Sequence, residues 1–226
     1  MHACSFPVAV ESRTTRDCQQ PTRTLRVGAI QIESQPGRIE ANHARATAMV
    51  EEAARSGAEL VVLPELFACG YVPNKVIWDY AEPLAGPTAT WLRETSRRLG
   101  VYLGAGMTET DGADFFNAYL ITAPDGEIAG HIRETMAEAY CFKRSKGSHI
   151  VDTAIGRIGI GICADNHYTR FAGLIQAGSV DLMLMPHAWP TPFKTSGFVS
   201  EGDVLKAENG TASHKTTAGG CTRGHG

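Results

Sequence analysis

"GRIGIGICADNHYTRF", Gly156 to Phe171, sets a cysteine directly after a short glycine-rich apolar run and before an Asp-Asn pair. The run has the pattern of a short buried strand, "ADN" is a turn-like break, and "HYTRFAGLIQAG" (167–178) starts a helix. Cys163 therefore falls at a strand end, on a strand–turn–helix elbow. Such an elbow exposes a side chain and leaves the next backbone N–H groups free to point at a developing oxyanion. On local pattern alone three readings stay open: a nucleophile, a redox thiol, or the small buried hydrophobe that most cysteines are.

A second stretch bears on the choice. "LVVLPELFACGY" (60–71) places Glu65 immediately after an apolar run and a proline. A carboxylate at the carboxyl end of a buried strand is placed to line a crevice and to act as a general base. A lone glutamate in that position is otherwise a solvated loop residue.

Working outward, "LRVGAIQIE" (25–33) reads as a strand, and "RIEANHARATAMVEEAARSG" (38–57) as an amphipathic helix stopped by Gly57. "AELVVLPE" (58–65) is too apolar for a half-exposed edge and reads as a strand buried on both faces. This order predicts a right-handed crossover and a parallel pair. "GPTATWLRETSRRLG" (86–100) reads as a helix with Pro87 near its start and Gly100 past its end. "VYLGAGMTE" (101–109) reads as a strand, and "FFNAYLITAPDGEIAGHIRE" (115–134) as a hairpin turning at "APDG". "SHIVDTAIGRIGIGIC" (148–163) gives two short strands across "AIG", and "VDLMLMPHAW" (180–189) another buried strand. The fold class is α/β: mixed sheets covered by helices, with two sheets packed face to face.

The chain has 226 residues, 43% of them apolar and 20% charged, which suits one soluble domain. A formal net charge of −3 gives no electrostatic reason to expect nucleic acid or an anionic membrane as partner. No apolar run approaches the roughly 20 residues that cross a bilayer. The first 24 residues lack a long apolar segment and read as a flexible leader. Cys4, Cys18, Cys69, Cys141, Cys163 and Cys221 are scattered with no C-x-x-C pair, which points to reduced thiols in the cytoplasm. From residue 201 to 226 the chain is rich in Gly, Thr and Ser and reads as a disordered tail. His214, Cys221 and His225 match no compact zinc spacing. "GRIGIG" leads into a cysteine turn and not into a phosphate-binding helix.

Together these segments resemble the nitrilase superfamily of carbon–nitrogen hydrolases. The resemblance rests on "VGAIQIE", "GAELVVLPELFACGY", the 115–134 hairpin, "GRIGIGICADNHYTRF" and "DLMLMPHAWPTP", in that order, and covers residues 25–200. It implies an α-β-β-α sandwich that pairs subunits into a homo-oligomer. It also implies hydrolysis of a small nitrile or amide through a cysteine-bound intermediate, with no metal or organic cofactor. By the same resemblance Cys163 is the nucleophile, Glu65 the base and Glu138 a second glutamate. Tyr71, His187 and Trp189 are rim residues of the substrate pocket.

Two departures stand out. The family's lysine, at the end of the hairpin's second strand, is replaced by Glu134. A carboxylate there repels both thiolate and oxyanion, which predicts weak or lost hydrolysis, or a relative that only binds a small molecule or partner. Arg133 is expected on the opposite strand face, and Lys143 and Lys146 as solvated loop charges. The resemblance also stops near Ser200, where the family continues with further strands and a helix. Two readings follow, a genuinely short protein or, in preference, a truncated or frame-shifted reading frame, and either predicts an incomplete second sheet.

Overall fold

The computed structural model describes residues 24–137 and 141–188. The expected leader (1–23 of it) and the 201–226 tail lie outside these residues, as do Glu138 and Trp189.

Among the described residues, eight strands form two sheets. The larger has the order β1 (Val27–Ala29), β2 (Leu60–Val62), β3 (Tyr102–Thr110), β4 (Phe115–Thr122), β5 (Ile128–Arg133). β1, β2 and β3 are parallel, and the β3–β4 and β4–β5 pairs are antiparallel. The smaller sheet has the order β6 (Ile150–Thr153), β7 (Gly156–Ile160), β8 (Leu182–Leu184). The helices are α1 (Ile39–Arg55), α2 (Pro87–Leu99) and α3 (Thr169–Gly178). None of the described helices is long and apolar enough to cross a membrane.

Alternation along the strands explains the layering, because successive side chains go to opposite faces. Leu103, Ala105 and Met107 of β3 and Ala118 and Leu120 of β4 pack against Ala46 and Val50 of α1 and Ala89 and Leu92 of α2. Tyr119 and Ile121 of β4 and Ile132 of β5 face Val151, Ile158, Ile160 and Leu184 of the smaller sheet. Leu60 and Val61 are both fully buried and divide between these two cores, as the apolar character of β2 predicts. Phe171 of α3 is buried, and Ile175 lies 3.0 Å from where a side chain at Gly159 would begin, so α3 covers the outer face of β7. This is the α-β-β-α sandwich.

Three expectations need correction. The first strand is shorter than residues 25–33, although the Ile30 N–H still donates to Val62 O at 2.9 Å. β8 is buried less fully than expected: Leu184 is buried but Leu182 and Met183 are half-buried, the strand lies at the edge of its sheet among the described residues, and Met185 beyond it is 59% exposed. Residues 163–167 form a 3-10 turn, so the helix after the elbow begins only at Thr169.

Candidate active site

Glu65 follows β2 through Pro64, and the chain turns sharply there. Leu66 has φ 49°, a left-handed conformation that costs a non-glycine residue about 1–3 kcal/mol. The turn lies directly on β3. A Cβ at Gly106 would stand 2.7 Å from Glu65 Cα and would also meet Leu66 N, so only glycine admits the loop. The Gly106 N–H donates to Pro64 O at 3.1 Å and fixes the approach. The Glu65 carboxyl is thereby carried into the sandwich, where the residue is 1% exposed.

Glu134 enters from the end of β5. Its N–H donates to Asn117 O at 2.8 Å, which continues the β4–β5 ladder by one residue and sets Glu134 beside Asn117. The Asn117 side-chain amide then donates to both carboxyls: Nδ2 reaches Glu65 Oε1 at 2.6 Å and Glu134 Oε2 at 2.8 Å. Asn117 and Glu134 are each 1% exposed. Asn117 Oδ1 is buried with no hydrogen-bond partner among the described residues.

Cys163 sits on the opposing sheet at the end of β7, half-buried, with φ 39°. Its N–H donates to Pro186 O at 3.0 Å, and the Gly161 N–H to Leu184 O at 3.0 Å, so the elbow is laced to the chain leaving β8. Two residues past Pro186, the Ala188 N–H donates to Glu65 Oε2 at 2.6 Å. The short segment 186–188 therefore holds the elbow at one end and the Glu65 carboxyl at the other. The N–H after Cys163 is not free as the sequence suggests: Ala164 N–H donates to Glu134 Oε1 at 3.2 Å.

Asp165 ties the two sides together. It is fully buried. Its Oδ1 accepts from Thr135 N at 3.0 Å and Met136 N at 2.9 Å, and its Oδ2 from Ile162 N at 3.2 Å. His149 Nδ1 is 3.7 Å from Oδ2. Burial pushes the Asp165 carboxyl above the usual carboxylate range, with His149 and the backbone donors acting the other way.

The cations the sequence offers as substitutes for a lysine lie elsewhere. Arg133 takes the other face of β5, bonds Glu109 at 3.1 Å through Nε, and lies 3.7 Å over the Phe116 ring. Lys143 pairs with Asp114 on the surface, and Lys146 is exposed. Tyr71 is half-buried on an apolar cluster with Leu66, Cys141, Phe142 and Ala188. His187 is exposed, its Nδ1 2.9 Å from Met185 O and its ring edge-on to His167 at 6.4 Å. No group of three or more His, Cys, Asp or Glu among the described residues is arranged to hold a metal ion.

Sequence reasoning missed Asn117 and Asp165. The signal for Asn117 is present in "FFNAYLI": a polar side chain within an apolar strand is the informative exception. For Asp165 the bare turn pattern gives no such sign.

A two-sheet sandwich that brings a strand-end glutamate and an elbow cysteine onto one segment defines the class of this protein. The chain belongs to the carbon–nitrogen hydrolase family, whose family model matches residues 26–201, and so to the nitrilase superfamily. It is 29% identical over 175 residues to the nitrilase of Pyrococcus abyssi, across 75% of this chain and 67% of that protein. It is 30% identical over 163 residues to the omega-amidase NIT2 of Danio rerio, across 66% of this chain and 58% of that protein. The match thus spans about three fifths to two thirds of these relatives' length. In fold it resembles a carbon–nitrogen hydrolase from Helicobacter pylori G27, with TM-score 0.70 and 19% identity over 81% of this chain and 65% of the other. It likewise resembles an amidase from Nesterenkonia sp., with TM-score 0.68 and 20% identity over 76% and 67% of the two chains.

Proposed function

We propose that this chain hydrolyses a carbon–nitrogen bond of a small nitrile or amide through a covalent intermediate on Cys163, with Glu65 moving the proton. The observation that carries this is the segment 186–188, which binds the Cys163 N–H through Pro186 O and the Glu65 carboxyl through the Ala188 N–H. An elbow thiol at φ 39° and a carboxyl 1% exposed are thus held to one short stretch of backbone. The reading is further supported by a structural neighbour: a glutamate-to-glutamine mutant of the amidase from Nesterenkonia sp. AN1 has an active-site cysteine that takes acrylamide by Michael addition.

With an amide, Glu65 accepts the thiol proton while Cys163 Sγ bonds the carbonyl carbon and the π pair moves onto oxygen. The tetrahedral species collapses as the carbon–nitrogen bond breaks. The nitrogen leaves with the proton from Glu65, as ammonia or an amine. Water then attacks the thioester, Glu65 takes its proton, the carbon–sulfur bond breaks, and the thiolate recovers that proton. Glu138 is the candidate second carboxylate of the site, and Tyr71, His187 and Trp189 are candidate rim residues. We place the reaction in the cytoplasm, in a homo-oligomer. Exposed Tyr168 just before α3, Leu174 of α3 and Met185 after β8 favour association.

Glu134 supports a second reading, a relative that binds a small amide without turning it over, because its carboxyl holds the Ala164 N–H. Ammonia release from a panel of short aliphatic amides, ω-amides and nitriles separates the two. Release by the wild type that disappears in Cys163→Ala supports the hydrolase. Saturable binding with no ammonia from any member supports the binder.

A further inference from the structure

Four successive N–H groups surround the elbow, and each has a partner. Ile162 N donates to Asp165 Oδ2 at 3.2 Å, Cys163 N to Pro186 O at 3.0 Å, and Asp165 N to Ile162 O at 2.9 Å. These partners are main chain or, for Asp165, a fully buried carboxyl. The fourth, Ala164 N–H, belongs to a half-buried residue directly after the thiol and donates to the Glu134 side chain at 3.2 Å. Glu134 is held in place from behind, since Asn117 binds its other oxygen at 2.8 Å and its own N–H at 2.8 Å.

We infer that Glu134 occupies, from within the chain, the backbone donor that a reacting oxygen needs, so that Cys163 can be alkylated but is held back from acyl transfer. The inference rests on the reading of Cys163 as the nucleophile. It concerns where the Glu134 oxygen sits, and not its charge alone. An anion developing on a carbonyl oxygen needs a fixed donor at hydrogen-bond distance, and removing one such donor typically lowers rates by about 10²–10³. Here the donor is present and already satisfied. A substrate oxygen has to displace a carboxylate oxygen to reach it.

Two reagents separate these steps. Iodoacetamide reacts by displacement: Sγ bonds the methylene carbon, the carbon–iodine bond breaks, iodide leaves and the thiol proton is released. No oxygen gains charge. Propionaldehyde reacts by addition: Sγ bonds the carbonyl carbon, and the π pair on oxygen takes up the thiol proton to give a hemithioacetal. That oxygen benefits from the Ala164 N–H; the displacement does not.

The experiment measures both on the full chain by mass spectrometry of the Cys163 peptide: the rate of carboxamidomethylation, and the propionaldehyde concentration that half-protects against it. Glu134→Gln keeps the shape and the acceptor but loses the charge. Glu134→Ala loses both. Faster alkylation is expected in both variants, from removal of the negative charge. Aldehyde protection should stay within about twofold of wild type in Glu134→Gln and tighten by at least about tenfold in Glu134→Ala. Equal tightening in both, or none in either, overturns the inference. Should Glu134→Ala fail to fold, Glu134→Ser is compared instead, since it also opens the donor while giving Asn117 a hydroxyl. If Cys163 is alkylated no faster than buried Cys69 and Cys141 in every form, the nucleophile reading falls, and this inference with it.

Discussion

Glu65 and Glu134 are joined through one side-chain amide. Asn117 Nδ2 gives one hydrogen to Glu65 Oε1 at 2.6 Å and the other to Glu134 Oε2 at 2.8 Å. Both donors of that amide are thereby used on carboxyls, and its buried Oδ1 has no partner among the described residues. The centre of the sandwich is rich in acceptors at the place where the superfamily resemblance implies a cation.

Glu134→Lys changes that balance. An ammonium group at this position brings donors to Asn117 Oδ1 and Glu65 and frees the Ala164 N–H. We expect amide hydrolysis to rise by at least about tenfold over wild type, since one donor at a developing oxyanion is worth about 10²–10³. Ammonia release under single-substrate conditions checks it. An unchanged rate with an active wild type would show that Glu134 does not limit the reaction.

Asn117→Leu keeps the branched shape, with bulkier methyl groups in place of the amide, and removes the shared donor. Each buried carboxyl then loses a hydrogen bond that solvent does not replace, and the expected loss of stability is about 2–3 kcal/mol. Urea denaturation at neutral pH measures it. The same variant at Asn166, which is half-buried and donates to nearby main chain at Gly161 and Cys163, should cost less.

Gly106→Ala tests the loop that carries Glu65. The added methyl meets main-chain atoms of Glu65 and Leu66, which cannot rotate away as a side chain can. We expect a destabilisation of about 1–3 kcal/mol and loss of hydrolysis in the fraction that folds. Gly173→Ala is the control, because Gly173, like Gly106, has no positive φ and nothing lies within 4 Å of the added carbon.

His43 gives the protein an acid-sensitive stability away from the site. Burial among Phe67, Trp91 and Thr88 lowers its pKa from 6.5 to about 4, with Glu40 opposing. Between those values the unfolded chain binds a proton that the folded chain refuses, so stability rises with pH across the window and is lost as pH falls. The full span corresponds to about 3 kcal/mol. Thermal melts between pH 4 and 6.5 should fall more steeply for wild type than for His43→Gln. Parallel curves would contradict this.

The sequence by itself determined the architecture. β2 is apolar at both Leu60 and Val61, and a strand so composed has to be covered on both faces; the alternation in β3 and β4 then sorts residues into two cores. Gly57, Pro87 and Gly100 bound the helices because their backbone preferences are local. The strand-end positions of Glu65 and Cys163 were legible for the same reason. Tertiary structure alone decided what these groups touch. That Ala164 N–H is taken by Glu134 depends on a loop and an elbow 30 residues apart, brought together by packing of the two sheets. Asn117 reaches Glu65 across 52 residues, and Ala188 reaches it across 123. Hydrogen bonds of this kind are set by the register and stacking of strands, which no local pattern encodes, whereas periodicity and turn chemistry are written within a few residues of where they act.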